Sequence, residues 1–108
     1  MVLGFDVVNS PQLVQIPAIE QLVAQMASRP EVVRVWLFGS RARGDQGARS
    51  DVDLAVEAPD ASRRTWLELC DLAEEAGTLL RIDLVRLEEA PPSLARRIRL
   101  EGRVLYER

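Results

Sequence analysis

The chain contains no histidine and no lysine; all fourteen of its basic residues are arginine. The absence of histidine excludes Ser-His-Asp triads, histidine general bases and histidine metal sites. The absence of lysine excludes a catalytic lysine. Cysteine occurs once, at Cys70. One cysteine rules out an internal disulfide and a zinc cluster, and it suits a reducing cytoplasm. No apolar run approaches the length of a membrane span, and the first residues lack the basic start and cleavage pattern of a signal peptide. A cytoplasmic protein without membrane contact is therefore expected. The formal net charge is −3. No global basic field points to nucleic acid, so direct nucleic-acid binding is not expected.

What is present fits one small domain. A chain of 108 residues, 47% of them hydrophobic, has enough apolar matter for a single core and no more. We expect one domain over 1–108. Residues 1–15 read either as a short strand or as a mobile arm. Pro17 marks a helix start, and a helix over about 17–28 would bury Ile19, Leu22, Val23 and Met26 before Pro30 stops it. Val32 to Phe38 reads as a strand, with Val33, Val35 and Leu37 on one face and Arg34, Trp36 and Phe38 on the other. Residues 45–49 read as a loop, and Asp51 to Glu57 as a second strand. Pro59, Asp60 and Ser62 open a helix to about Ala76, with Trp66, Leu69, Cys70, Ala73 and Ala76 inward and Gly77 after it. Leu79 to Leu87 reads as a third strand. Pro91-Pro92 opens a last helix to about Glu101, with Leu94, Ala95 and Ile98 inward. Gly102 ends it, and Arg103 to Tyr106 form a short edge strand.

The chemistry concentrates in one run, Trp36-Leu-Phe-Gly39-Ser40-Arg-Ala-Arg43-Gly44, followed by Ser50-Asp51-Val-Asp53-Leu-Ala-Val56. Alternation puts Asp51 and Asp53 on one face of the second strand, with Val52, Leu54 and Val56 on the other. Their Cα atoms would lie roughly 6.5–7 Å apart. Such carboxylates can converge on one hard cation or on two about 3.5–4 Å apart, and oxygen ligands suit Mg²⁺ or Mn²⁺. Gly39 permits a tight turn and a close approach to a ligand. Ser40 can cap the helix that follows and offer a hydroxyl. Arg43, one turn on, can pair with phosphate bidentately. A phosphate cradle beside paired carboxylates is what a nucleoside triphosphate with Mg²⁺ requires.

Gly39-Ser40, ten residues, then Asp51-x-Asp53 resembles the signature of the DNA polymerase β nucleotidyltransferase superfamily. The short chain resembles its minimal nucleotidyltransferases, the MNT proteins paired with HEPN toxins. The resemblance runs from about Val32 to the end. It implies an α/β fold: a small, mixed, twisted sheet with helices mainly on one face. Val52-Asp53-Leu54 and Ile82-Asp83-Leu84 share one pattern. If their strands pair in parallel, Asp83 falls beside Asp53, about 4.8 Å across the sheet. The resemblance implies that Asp51 and Asp53 hold two Mg²⁺ ions, with Mn²⁺ as a substitute. It implies that Asp83 ligates the catalytic metal and helps deprotonate the acceptor. It assigns Gly39, Ser40 and Arg43 to the triphosphate, with ATP as nucleotide.

Nearly every residue is consumed by such a catalytic core, so the acceptor must dock from outside. The resemblance implies a HEPN toxin that receives AMP on a tyrosine, making this chain an antitoxin. The alternatives are a non-catalytic antitoxin that acts by contact, and nucleotidyl transfer to a small molecule such as an aminoglycoside. Other residues read as ordinary structure. Trp36 and Trp66 read as core, Tyr106 as packing at a strand end, and Cys70 as a small buried apolar group. Arg96, Arg97 and Arg99 read as a solvated helix face, with a partner-binding role as the alternative, and Arg41 as a solvated or supporting arginine.

Overall fold

A computed structural model describes residues 16–44, 47 and 51–108. Residues 1–15, and five of the six residues read as the 45–49 loop and Ser50, lie outside that description. The elements are α1 (Pro17–Ala27), β1 (Arg34–Phe38), α2 (Ser40–Arg43), β2 (Val52–Glu57), α3 (Arg63–Glu74), β3 (Ile82–Arg86), a 3-10 turn (Leu87–Glu89), α4 (Pro92–Glu101) and β4 (Arg103–Glu107). The strands form one sheet in the order β3-β2-β1-β4. β1 is antiparallel to both β2 and β4, and β2 is parallel to β3. The mixed α/β sheet expected from the sequence is therefore present.

Alternation along the strands builds two cores. Val35, Leu37, Val52, Leu54 and Val56 face the larger one, together with Ile19, Leu22, Val23 and Met26 of α1 and Leu69 of α3. The four inward residues of α1 are those its helical spacing selects. Trp36 and Ala55 face the opposite way and pack with Leu87 and with Ile98 of α4. Two of the three longer helices thus share one face, and α4 lies on the other. Tyr106 joins the larger core, and β4 is an edge strand, as the sequence suggests.

The elements are shorter than their patterns. α1 stops at Ala27, before Pro30 is reached. α3 ends at Glu74, and β3 begins only at Ile82. Leu79 is fully exposed rather than in a strand. Ser62 caps α3 by accepting a hydrogen bond from the Thr65 N–H at 3.1 Å. Thr65, Leu69 and Ala73 are buried, whereas Trp66, Cys70 and Ala76 are only half-buried. The Cys70 thiol is pushed above its ordinary pKa by burial first, then by the charges of Asp71 and Glu74.

Non-local polar contacts close the sheet. Arg34 donates to Glu57 on β2 and to Glu107 on β4, both at 2.8 Å, and both acids stand in register with it. Arg86 donates to the carbonyls of Ala58 and Ala61 at 2.8 and 2.7 Å. The Ala58 N–H donates to Glu88 at 3.1 Å. Together these hold the β2–α3 connection against the end of β3.

Leu69 is wholly buried between α3 and the sheet. Leu69→Ala should lower the unfolding free energy by about 2–5 kcal/mol, through lost transfer energy and the cavity left behind. Urea denaturation measures it.

Candidate nucleotidyltransferase site

The site is built where β1 ends and β2 and β3 begin. Phe38 pairs with Asp53, and Asp53 pairs with Asp83. The three residues form one row across the sheet, on the face that carries Trp36 and Ala55 behind them. Parallel pairing with an in-register match brings Asp83 beside Asp53, and the two carboxyls share a hydrogen bond.

Gly39 turns the chain at the end of β1. Its φ is +77° and its ψ −155°, a backbone conformation that side chains rarely adopt. A Cβ there would run into the Asp53 carboxylate. Glycine is thus required twice, by the backbone angle and by the close approach of Asp53. Gly39 itself occupies the N-cap position of α2. Ser40 is the first helical residue, and no side chain caps this helix. The capping role expected for Ser40 is therefore absent, which leaves its hydroxyl uncommitted to the helix end. Arg43 is exposed at the end of this turn.

Asp51 lies one residue before β2 and is exposed, so it does not share the strand geometry of Asp53. Its charge nevertheless reaches Asp53. Burial first, then the charges of Asp83 and Asp51 and the hydrogen bond with Asp83, push the Asp53 carboxyl above its ordinary pKa; Arg43 pulls it the other way. Arg81 donates to Asp83 at 3.0 Å. Among the described residues, no three acidic side chains stand in a ready-made metal-binding arrangement. The donor set still fits a hard divalent cation. It offers carboxylate oxygens alone, crowded enough that Asp53 resists ionisation, and a cation would relieve that repulsion.

Two supporting contacts had no local signal in the sequence. The Arg103 guanidinium, from β4, donates to the Ala42 carbonyl in α2 at 2.9 Å. It ties the turn that carries Ser40 and Arg43 to the edge of the sheet. Arg41, expected as solvated or supporting, is only 5% exposed. Its place inside this turn rules out the solvated reading.

The family described as Polymerase beta, Nucleotidyltransferase matches residues 20–108. The chain belongs to the polymerase beta nucleotidyltransferase family. Among solved structures, it is similar to a chain of a toxin–antitoxin complex crystallised with AMP-PNP, at 30% identity and a TM-score of 0.64, covering 85% of this chain and 73% of that one. It is also similar to a chain of a complex between a tri-AMPylated Shewanella oneidensis HEPN toxin and an MNT antitoxin. There the identity is 26% and the TM-score 0.59, over 90% of this chain and 73% of the other. A third likeness is of fold alone: a nucleotidyltransferase-like protein of Sulfolobus solfataricus, 17% identical, TM-score 0.57, covering 94% and 86%. No curated protein matches the chain in sequence. The nucleotidyltransferase fold, and the resemblance to MNT proteins of HEPN toxin–antitoxin complexes, are thus borne out.

Gly44 also has positive φ, at +85°, but open space lies around it. Gly44→Ala should therefore cost only the left-handed backbone penalty, about 1–2 kcal/mol. Gly39→Ala should cost clearly more, because its methyl also displaces Asp53. Paired denaturant titrations of the two variants check the difference.

Proposed function

We propose that this protein is a divalent-metal-dependent adenylyltransferase that moves AMP from ATP to a hydroxyl of a HEPN-type protein partner, and so acts as an antitoxin. The observation that carries the reading is the row of Asp53 and Asp83 in register, with the Gly39 turn packed directly against Asp53. The family supplies the reaction class. The likeness to complexes containing AMP-PNP and an AMPylated HEPN toxin supports the nucleotide and the acceptor.

In this reading Asp51 and Asp53 hold Mg²⁺, or Mn²⁺, as a pair of ions, and Asp83 completes the set. The metal would neutralise phosphate charge and stabilise the attacking and leaving oxygens. Gly39 lets the β- and γ-phosphates approach the backbone, and Ser40 and Arg43 bind them. Asp83 takes the acceptor's proton as its oxygen forms a bond to the α-phosphorus. The bond from that phosphorus to the β-phosphate oxygen breaks, and pyrophosphate leaves. The chain's residues contribute mainly by positioning. Exposure of Asp83 to its neighbour Arg81 gives it a mobile cationic partner that nucleotide and metal would displace.

ATP with Mg²⁺ should raise the melting temperature, since a ligand bound only by the folded state stabilises it. Asp53→Asn should lose most of that shift while keeping the fold. An unchanged shift would place the metal elsewhere.

Incubation with ATP, Mg²⁺ and the partner should make the partner heavier by one or more AMP units in intact-mass spectrometry. Asp51→Asn and Asp53→Asn should each abolish transfer. Asp83→Asn should abolish it while retaining more nucleotide binding, and Arg43→Ala should chiefly weaken triphosphate binding. A partner silenced equally by wild type and Asp53→Asn, with no mass change, would instead establish neutralisation by contact.

A further inference from the structure

The sheet face that carries Asp53 and Asp83 is only partly covered. α4 lies on it, seating Ile98 against Trp36 and Ala55, in the row behind the aspartates. This helix runs toward the site. It ends at Gly102, where a Cβ would lie 3.2 Å from both the Leu37 carbonyl and the Trp36 ring. The next residue, Arg103, pairs with Leu37 and holds the Ala42 carbonyl. The last turn of α4 therefore stands beside the Gly39 turn.

The outer side of that turn is open and lies nearest the site. Leu100 is 77% exposed. At 100° per residue it points away from Ile98, and Arg96 and Arg97 fall beside it, one turn back. Arg99 precedes it and the exposed Glu101 follows it, so three arginines and one acid surround it. All three arginines are exposed, and none forms an ion pair among the described residues. In a chain whose net charge is −3, this is a basic collar around an apolar knob.

We propose that the outer face of α4, Leu100 collared by Arg96, Arg97 and Arg99, docks an acidic protein surface bearing an apolar pocket, on the partner that carries the acceptor hydroxyl. This rests on the transfer reading above. Charge complementarity orients the encounter. The collar attracts the partner's carboxylates, while the aspartate row beside it repels them. The carboxylates of the partner are thereby kept off Asp53 and Asp83, while a hydroxyl is free to approach them. Leu100 supplies the anchor that a desolvated pocket rewards. Nucleic acid is the less suitable occupant. The exposed large apolar residues among those described are Leu67, Leu79 and Leu100, with no aromatic on which bases could stack.

The test uses a HEPN-type toxin, produced and purified separately, with binding followed by calorimetry. Leu100→Ser and the double variant Arg96→Glu/Arg99→Glu should each weaken the complex about tenfold or more. Both should keep the wild-type melting temperature and its rise with ATP and Mg²⁺. The double variant should also flatten the salt dependence of binding. AMP transfer should fall at low partner concentration and recover at high concentration, a KM effect. Leu67→Ser, on α3 across the sheet, should bind as wild type. If the α4 variants bind as tightly as wild type while wild type still transfers AMP, this surface is wrong and the transfer reading stands. If wild type neither binds nor modifies the partner, both fall. If the α4 variants keep the protein partner but lose a labelled RNA that wild type holds, the face is an RNA surface and the proposal is overturned.

Discussion

The in-register parallel pairing of β2 with β3 is the constraint on which the rest depends. It sets Asp53 against Asp83. Nothing in the aspartates favours that pairing, since two carboxylates side by side repel. The register is enforced from the other face. Val52, Leu54 and Val56 of β2, with Ile82 and Leu84 of β3, all point into the larger core. A slip of one residue would turn Ile82 and Leu84 out to the open face and drive Asp83 inward. Apolar burial on one side of the sheet therefore positions charge on the other.

The cost of that charge shapes its surroundings. Burial and two neighbouring carboxylates push Asp53 away from its ionised form, and Arg43 only partly offsets them. Asp83 is more open and is met by Arg81. Gly39 cannot be exchanged without moving Asp53, so the tightest backbone in the site and its most perturbed acid are one unit. The ion pairs of Arg34 with Glu57 and Glu107 stand at the far end of the same sheet face. They tie three strands together where no ligand is expected, and leave the acidic row alone at the other end.

The two faces divide the labour of the fold. α1 and α3 cover one face, burying the β1 and β2 residues on it fully and those of β3 in part. α4 covers the other face only behind the aspartates. The family match spans the sheet, its cover and the site. The open part of that face borders α4, whose outer side mixes exposed Leu100 with Arg96, Arg97 and Arg99.

The sequence by itself determined what depends on local pattern. The spacing of Ile19, Leu22, Val23 and Met26 fixes α1 and its inner face, because a helix repeats every 3.6 residues. Alternation fixes which side of each strand is apolar, and so separates Asp53 from Leu54 and Asp83 from Leu84. The Gly39-Ser40 and Asp51-x-Asp53 spacing named the family. Other matters were decided only by tertiary structure. α3 turned the expected face inward, but only Leu69 and Ala73 of that set are buried, while Trp66, Cys70 and Ala76 stay at its margin. Asp51 fell outside the strand that alternation gave it. Arg41 went inside, and Arg103 reached Ala42 across 61 positions of sequence. The exposure of Leu100 followed from α4 packing against Trp36. Periodicity reports which residues share a face, but not which neighbour covers that face, since the neighbour comes from a distant part of the chain.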